Sequence, residues 1–241
     1  MRVLQQIVTD PHPCHYLAGR EAITEYSYAP FLEPQEYEEL MNRGYRKFGP
    51  LFFRPMCDDC QECRPIRIPV DRFQPDRSQR RCWKRNQDLE IRFAGPTVDA
   101  MRLDLFQRYH DAQIDRKGWE GHEKDADEYA FSFVHNPIPA VEVSMWEGDA
   151  LRAVLLTEVT PSVVSGIYHY WDPDFAHRGL GTYCMLHTLD LARRLQKAWA
   201  YFGFYVTGCG SLEYKSRFQP CELMGLDGVW RPLDRSGIAS E

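Results

Sequence analysis

The sequence predicts an α+β protein, in which a small cysteine-bearing N-terminal domain precedes a larger domain with a mixed central sheet. The chain has 241 residues, 44% of them hydrophobic, which is enough for two cores of unequal size. Near residue 88 the apolar pattern changes from short strands around cysteines to long periodic segments. Two long apolar strands then flank Glu147-Gly148-Asp149, as in a hairpin. The expected domains are residues 1–86 and 87–241.

Short elements fill the predicted N-terminal domain. Alternation after Cys14 predicts one short strand, and Pro34 opens a helix that Gly44 stops. The stretches LFFRP and RPIRIPV are expected to be short strands on either side of a cysteine run. Ser78 is positioned to cap a short helix, SQRRCWKRN.

Longer elements follow, beginning with DLEIRF, whose alternating apolar residues predict a half-buried strand. Thr97 can cap a long helix that ends near Gly118, because apolar residues recur along one stripe of this segment. A second helix is expected over residues 125–135, where Asn136-Pro137 ends it. The hairpin strands are AVEVSMW and ALRAVLLTEV.

The last elements complete a recognisable order. SVVSGIYHYW is a strand, and a loop then leads into the helix of DPDFAHRGLGTYCMLHTLDLARRL. The strand KAWAYFGFYV, a helical GSLEYKSRF and a last strand over residues 221–230 follow. From residue 88 the order is β-α-α-β-β-β-α-β-α-β, which resembles that of the Gcn5-related N-acyltransferase fold.

The loop Arg178-Gly179-Leu180-Gly181, at the start of a helix, resembles the (Gln/Arg)-x-x-Gly-x-Gly loop of that superfamily. Glycines let the backbone approach a ligand closely, and free amides at a helix N-terminus hold a phosphate or a polarised oxygen. Ala176 stands where Gln or Arg is usual, which weakens the case for an acyl-CoA ligand. A helix-start turn without a ligand is the alternative interpretation.

The charge is uneven along the chain. A net charge of −6 argues against a protein that coats nucleic acid. Residues 72–85 nevertheless carry six Lys or Arg and one acidic residue, Asp76, so this segment either binds a polyanion or forms a solvated helix face. The sequence contains no apolar run long enough for a signal peptide or a membrane span, so a soluble cytoplasmic protein without a membrane partner is expected.

Eight cysteines in a cytoplasmic chain are expected to be thiols or metal ligands. Cys57, Cys60 and Cys63 supply three thiolates, and a tetrahedral site needs four ligands. Cys14 is the natural fourth ligand, with His15 or His12 as substitutes. The acidic residues between the thiols suit a cation. Reduced structural cysteines are the alternative.

Stretches throughout the chain resemble the arginyl-tRNA–protein transferase family, most closely its short bacterial branch of aspartate/glutamate leucyltransferases. These stretches are residues 13–17 with 19–20, 44–49, 52–55, 63–67, 78–81, 84–86, 88–89, 168, 172–174, 180–183, 214–215 and 217–220. One departure is Gly179, where Ser is expected in many members.

The resemblance implies that an aminoacyl group moves from charged tRNA to the α-amine of a protein that begins with Asp or Glu, which marks that protein for N-end-dependent degradation. Leucine is the expected donor residue, leucyl-tRNA and such proteins are the partners, and the transfer needs no cofactor. The wider family is associated with a cysteine-bound iron–sulfur cluster, so a structural zinc or iron–sulfur cluster is possible here. Arginyl transfer, an acyl-CoA N-acetyltransferase and a zinc module that binds nucleic acid are the alternatives.

Candidate roles follow from the resemblance and from the chemistry of amine attack on an activated carbonyl. Asp172 is expected to hold or deprotonate the ammonium, or else to cap the next turn. The other catalytic candidates are Tyr168, Gly179 and Gly181. The candidates for binding the acceptor or the tRNA are Arg80, Arg81, Lys84, Arg85, Tyr214, Lys215 and Arg217.

Overall fold

Strands make up most of the ordered elements in the computed structural model, which describes residues 3–117 and 125–233. The strands are β1 (Gln5–Val8), β2 (His12–Pro13), β3 (Glu21–Ala22), β4 (Thr24–Tyr28), β5 (Arg46–Phe48), β6 (Leu51–Pro55), β7 (Arg64–Pro69), β8 (Glu90–Ala94), β9 (Ala140–Glu147), β10 (Ala150–Val159), β11 (Val163–Trp171), β12 (Trp199–Tyr205), β13 (Glu222–Met224) and β14 (Trp230–Pro232). The α-helices are α1 (Pro34–Met41), α2 (Arg77–Arg85), α3 (Ala100–Lys117), α4 (Ala126–Tyr129), α5 (Leu180–Arg194) and α6 (Gly210–Glu213). A π-helical turn (Ala130–Val134) extends α4, and 3₁₀ turns cover Pro173–Arg178 and Tyr214–Arg217.

An eight-stranded mixed sheet forms the centre, in the order β14-β13-β7-β12-β11-β10-β9-β8. Neighbouring strands pair antiparallel except β11 and β12, which pair in parallel with α5 between them in sequence. The predicted hairpin is β9 and β10, with Glu147 opposite Ala150. The predicted α+β class with a mixed central sheet is therefore confirmed.

Helices cover both faces of this sheet, so its middle strands are apolar on both sides. On β10, Ala153 and Leu155 face the core under α5, whereas Val154 and Leu156 face the core under α3. The stretch ALRAVLLTEV therefore lacks the polar alternation of a one-sided strand. None of the helices among the described residues combines the length and the apolar character that crossing a bilayer requires.

The parallel pair opens into a fork. β11 and β12 are in register only over Val163–Ser165 and Trp199–Tyr201, although both strands continue beyond this segment. A bulge in the β10–β11 pairing, between the Leu156–Tyr168 and Thr157–Gly166 pairs, lies where the strands separate. The separated strand edges have no sheet partner on the side of the fork, which leaves a cleft between them.

The N-terminal elements build a four-stranded sheet, in the order β1-β4-β6-β5, covered by α1. Two other elements that precede residue 86 belong elsewhere. β7 lies in the eight-stranded sheet between β12 and β13, and α2 packs against α5. The predicted boundary at residue 86 therefore does not coincide with the division between the sheets.

Several predicted element ends are corrected. Asp76, and not Ser78, caps α2: its carboxylate accepts a bond from the Gln79 backbone N–H at 2.8 Å, and the Gln79 side-chain oxygen accepts one from the Asp76 backbone N–H. At the start of α3 the carboxylate of Asp99, and not Thr97, accepts the Arg102 amide. Carboxylates are favoured there because they also meet the positive end of the helix dipole.

The predicted end of the long helix near Gly118 lies outside the described residues. The single strand predicted after Cys14 is two strands, β3 and β4, separated by one residue. The predicted last strand, residues 221–230, is an antiparallel pair, β13 and β14, because the turn with Gly228 at φ 75° reverses the chain. The predicted helix over residues 125–135 is confirmed as α4 and its π-helical extension.

Candidate active site

A cleft of about 1350 Å³ occupies the fork between β11 and β12. One wall is the start of α5 with the glycine loop before it, and another is the segment Pro13–Tyr16 from the N-terminal sheet region. Residues of β5 and of the turn after α6 line its floor. The fork thus brings four separate parts of the chain around one space.

The glycine loop enters this cleft as the sequence predicts. Gly179 has φ 72°, a left-handed conformation that favours glycine, and it forms the N-cap of α5. Gly181 is required by packing, because a side-chain carbon there would lie 3.0 Å from the indole ring of Trp171. Leu180, Gly181 and Thr182 line the cleft, and the first turn of α5 is where a helix leaves backbone N–H groups without an intrahelical partner.

Arg178 is not available to a ligand in this loop. Its side chain is buried and pairs with Asp88, and it also contacts Glu147 at 3.4 Å. It further donates to the carbonyl of Arg85 at 2.8 Å. Arg178 therefore fastens the loop to α2 and β9, and its charge is neutralised.

Two cations lie at the floor of the cleft. Arg46 is buried and donates from one nitrogen to the Ser165 hydroxyl at 3.1 Å and to the Gly166 carbonyl at 3.3 Å. The Lys215 Nζ donates to the Phe204 carbonyl at 2.7 Å. A methyl group on Gly203 would lie 3.7 Å from both Lys215 Nζ and an Arg46 nitrogen, so the two cations face the same point of β12.

Burial lowers the pKa of Lys215 to about 7, and the charge of Arg46 adds to this effect. The neighbouring Lys47 has a different environment, because it forms a fully buried ion pair with Glu158 and also donates to Asn136 at 2.6 Å. Among the described residues that line the cleft, Glu158 is the only carboxylate. The lining is therefore cationic overall.

Aromatic rings form the wall beside these cations. Phe48 stacks on Phe53 with ring centroids 5.6 Å apart, and Phe204 packs edge-on to Phe53. Tyr168 completes this wall, and its hydroxyl bonds the His110 Nε2 at 3.0 Å. Burial raises the pKa of Tyr168 above its usual range, so this phenol stays protonated near neutral pH.

Asp172 lies just outside the residues that line the cleft. Its carboxylate accepts bonds from Arg108 at 2.9 Å, Arg152 at 2.8 Å and the Asp174 amide at 3.2 Å. Burial alone would raise the pKa of this carboxyl, but the bonds from both arginines outweigh burial and hold it below its usual range. This geometry suits the alternative interpretation, in which Asp172 anchors the turn that follows β11.

The remaining predicted binding residues divide into two places. Tyr214 and Lys215 line the cleft, whereas Arg217 is exposed outside it. Arg80, Arg81, Lys84 and Arg85 are exposed on α2. The opposite side of this helix touches the glycine loop, because Cys82 Sγ lies 3.3 Å from the Gly179 carbonyl oxygen.

The predicted metal ligands meet in one corner beside the cleft. Burial raises the pKa of Cys63 to about 12, and the nearby thiols of Cys14, Cys57, Cys60 and Cys209 raise it further. Over residues 3–117 and 125–233, however, no three His, Cys, Asp or Glu side chains converge closely enough to hold a metal ion. The thiols are neighbours without forming a ligand set, and the zinc or iron–sulfur site stays a prediction.

Two sequence profiles match this chain. The one described as "Arginine-tRNA-protein transferase, N terminus" covers residues 12–81, and the one described as "Arginine-tRNA-protein transferase, C terminus" covers residues 101–225. The chain belongs to this family. The resemblance inferred from the sequence is therefore confirmed.

Relatives of the family match over nearly the whole chain. An aspartate/glutamate leucyltransferase of Pseudomonas syringae pv. syringae is 34% identical, over 92% of this chain and 94% of its own. One of Chromobacterium violaceum is 30% identical, over 93% and 92%. The crystal structure of FemX shares the fold, with a TM-score of 0.52 at 8% identity, over 92% of this chain and 85% of its own.

Sequence reasoning placed part of this site, including Lys215 of its floor, and missed Arg46. The cleft contains Tyr168, Gly179, Gly181, Tyr214 and Lys215 as predicted candidates. The residues without an assigned role in the sequence were Arg46, Glu158 and Gly203. Arg46 stands in the family-like stretch 44–49, but nothing in that stretch shows that its side chain reaches β11.

Proposed function

We propose that this protein transfers leucine from leucyl-tRNA to the α-amine of proteins that begin with Asp or Glu. The product would be a new peptide bond, which marks the acceptor protein for N-end-dependent degradation in the cytoplasm. The observation that carries the proposal is a family match over both halves of the chain, joined to a cationic and aromatic cleft at the fork.

The transfer reaction requires the site to position the acceptor amine against the ester, and it does not require a strong general base. The acceptor nitrogen attacks the ester carbonyl, a C–N bond forms, and the ester C–O bond breaks to release the ribose hydroxyl. An α-amine has a pKa of about 7.7 to 8.0, so a useful fraction is already deprotonated near neutral pH. The ester itself is the activated group, and no cofactor is needed. Backbone amides near Gly181 and on the open edge of β11 are suited to polarise the carbonyl.

The electrostatics of the cleft favour leucine over arginine as the donor residue. The lining carries more positive than negative charge, which disfavours an arginyl side chain, because the only carboxylate of the described lining, Glu158, already pairs with Lys47. An uncharged branched side chain would instead pack on the aromatic wall of Phe48 and Phe53. Arginyl transfer is the less favoured alternative on these grounds.

The basic surface of α2 is suited to tRNA phosphates. Arg81 and Lys84 are exposed and have no side-chain partner among the described residues, whereas Arg85 donates to the His177 carbonyl. The same helix contacts the glycine loop through Cys82. A tRNA held on α2 would therefore have its 3′ end close to the start of α5.

The test is a transfer assay with three labelled donors. Purified protein is incubated with an Asp-initiated peptide and labelled leucyl-tRNA, arginyl-tRNA or acetyl-CoA in parallel. We expect label on the peptide from leucyl-tRNA, with less than about a hundredth of that rate from arginyl-tRNA. Transfer from acetyl-CoA alone would overturn the proposal in favour of an N-acetyltransferase.

We also propose that Cys14, Cys57, Cys60 and Cys63 hold a structural metal that takes no part in the transfer reaction. Cys14 and Cys209 also line the cleft, so a metal there would brace its wall. Elemental analysis of anaerobically purified protein should give about one zinc or one cluster per chain. If the protein is metal-free and fully stable, the four cysteines are reduced structural thiols and the metal site is excluded.

A further inference from the structure

The floor of the cleft holds positive charge that the protein itself does not neutralise. Among residues 3–117 and 125–233, neither Arg46 nor Lys215 forms an ion pair with a carboxylate. Arg46 donates two hydrogen bonds to neutral oxygens from a single nitrogen, and its remaining N–H groups have no acceptor there. Lys215 has a single acceptor, the carbonyl of Phe204.

The neighbouring Lys47 shows how this fold treats a cation that serves structure. Its ammonium group is completely buried and pairs with Glu158, which is equally buried, and a carbonyl and an amide oxygen complete its shell. A buried charge without an opposite charge is costly. If Arg46 and Lys215 served structure alone, we would expect each to pair with a carboxylate of the protein, as Lys47 does. A bound anion would supply the missing negative charge.

We propose that Arg46 and Lys215 together bind the side-chain carboxylate of the acceptor's N-terminal residue and so restrict the enzyme to Asp and Glu. This inference rests on the proposed function. The fork supplies the place, since both cations face Gly203 where β11 and β12 have already separated.

The chemistry of the two side chains fits this assignment. A carboxylate has two oxygens: one can take the free N–H groups of Arg46 and the other the ammonium of Lys215. The flexible stem of Lys215 accommodates the extra methylene of Glu. An Asn or Gln side chain has nearly the same size, but its NH₂ group would face a donor, and the two cations of the floor would stay without an anion.

Phosphate of the bound tRNA is the other anion that could reach these cations. In that case both substitutions would weaken binding of the donor and would slow every acceptor equally. The ratio of rates between matched acidic and amide peptides separates the two cases, because the donor is the same in both.

The experiment compares Arg46→Gln and Lys215→Met with wild type, using leucyl-tRNA and four peptides that differ only in a first residue of Asp, Asn, Glu or Gln. Arg43→Gln is the matched control, because Arg43 is an exposed arginine three residues away that does not line the cleft. We expect wild type and the control to prefer Asp to Asn by at least about 100-fold in kcat/KM. In either variant the KM for the Asp peptide should rise at least about 30-fold, and the preference should fall below about fivefold.

The outcomes are distinguishable. If wild type transfers leucine to no peptide, the proposed function fails. If wild type transfers leucine and both variants keep the wild-type preference, the inference is overturned. Circular dichroism and leucyl-tRNA binding show whether each variant is folded. Should Arg46→Gln fail to fold, Lys215→Met alone decides, because Lys215 makes a single hydrogen bond to the protein.

Discussion

Two groups of charged side chains belong to the fork, one around Asp172 and one at the floor of the cleft. They differ in whether each charge has a partner of opposite sign within the protein. At the end of β11, Asp172 binds Arg108 and Arg152, and Asp104 and Glu147 complete the shells of these arginines. At the floor of the cleft, the described residues give Arg46 and Lys215 only neutral oxygens, none of them from a carboxylate.

This difference indicates which charges serve structure and which serve substrate. Three fixed donors use three of the roughly four lone-pair sites of the Asp172 carboxylate, so Asp172 is suited to hold the chain after β11. Two neighbouring cations that have no anion carry an uncompensated desolvation cost, and a bound anion offsets most of that cost. The sequence offered both Asp172 and Lys215 as candidates without separating their roles, whereas the geometry gives a complete set of partners to Asp172 alone.

The largest effect is expected on stability, when Asp172 is removed from its two arginine partners. Asp172→Ala should lower the free energy of unfolding by about 2 kcal/mol, because two half-buried guanidinium groups lose an acceptor. Urea unfolding measures this, and Asp174→Ala is the matched control, since Asp174 is an exposed carboxylate two residues away. Leucyl transfer by the folded variant should stay within about threefold of wild type. A stable Asp172→Ala variant with kcat reduced more than about 100-fold would restore a catalytic role for Asp172.

An intermediate effect is expected on leucyl-tRNA binding, which should depend on the exposed cations of α2 and not on the cations at the floor of the cleft. Arg81 and Lys84 have no side-chain partner in the described structure, whereas Arg80 and Arg85 donate to the carbonyls of Pro75 and His177. The double variant Arg81→Gln, Lys84→Gln should weaken leucyl-tRNA binding about tenfold and reduce its salt slope by about 1 to 2.

The double variant Arg80→Gln, Arg85→Gln is the matched comparison, and its salt slope should change less. Filter binding at several salt concentrations measures both. Neither double variant should change the preference for Asp over Asn peptides, which belongs to the floor. An unchanged salt slope in both would assign α2 to something other than the donor.

The smallest effect is expected from pH. Burial, with the charge of Arg46, lowers the pKa of Lys215 to about 7, and the Cys209 thiol acts in the opposite direction. Lys215 is therefore protonated below about pH 7 and loses its charge above it. The KM for an Asp peptide should consequently rise with pH, by about twofold between pH 6 and pH 7.

Lys215→Arg keeps its charge throughout this range and should flatten the rise. Titration of the peptide's own α-amine contributes equally to both proteins, so the difference between their profiles isolates Lys215. Parallel profiles for wild type and the variant would show that Lys215 does not change its charge where the acceptor binds.

Local pattern was sufficient for the order of elements, since apolar periodicity, prolines and glycines act over a few residues. The loop at Gly179 was predictable for the same reason. Arg46 was not, because it meets Ser165 across 119 positions of sequence, and only the sheet topology brings them together. The sequence left Asp172 open between a catalytic role and a turn cap, because its partners, Arg108 and Arg152, are 64 and 20 residues away.

The fork also has a consequence for which part of an acceptor chain can be read. Below the opening, hydrogen bonds join Val163–Ser165 to Trp199–Tyr201, so the fork is closed at this end. A polypeptide reaches the closed end of the fork more easily by its terminus than by an interior segment. An aspartate in the middle of a chain would have to carry two backbone segments toward the floor. Recognition at the floor would therefore distinguish a terminus from an interior position by shape, before any group on the acceptor amine is considered.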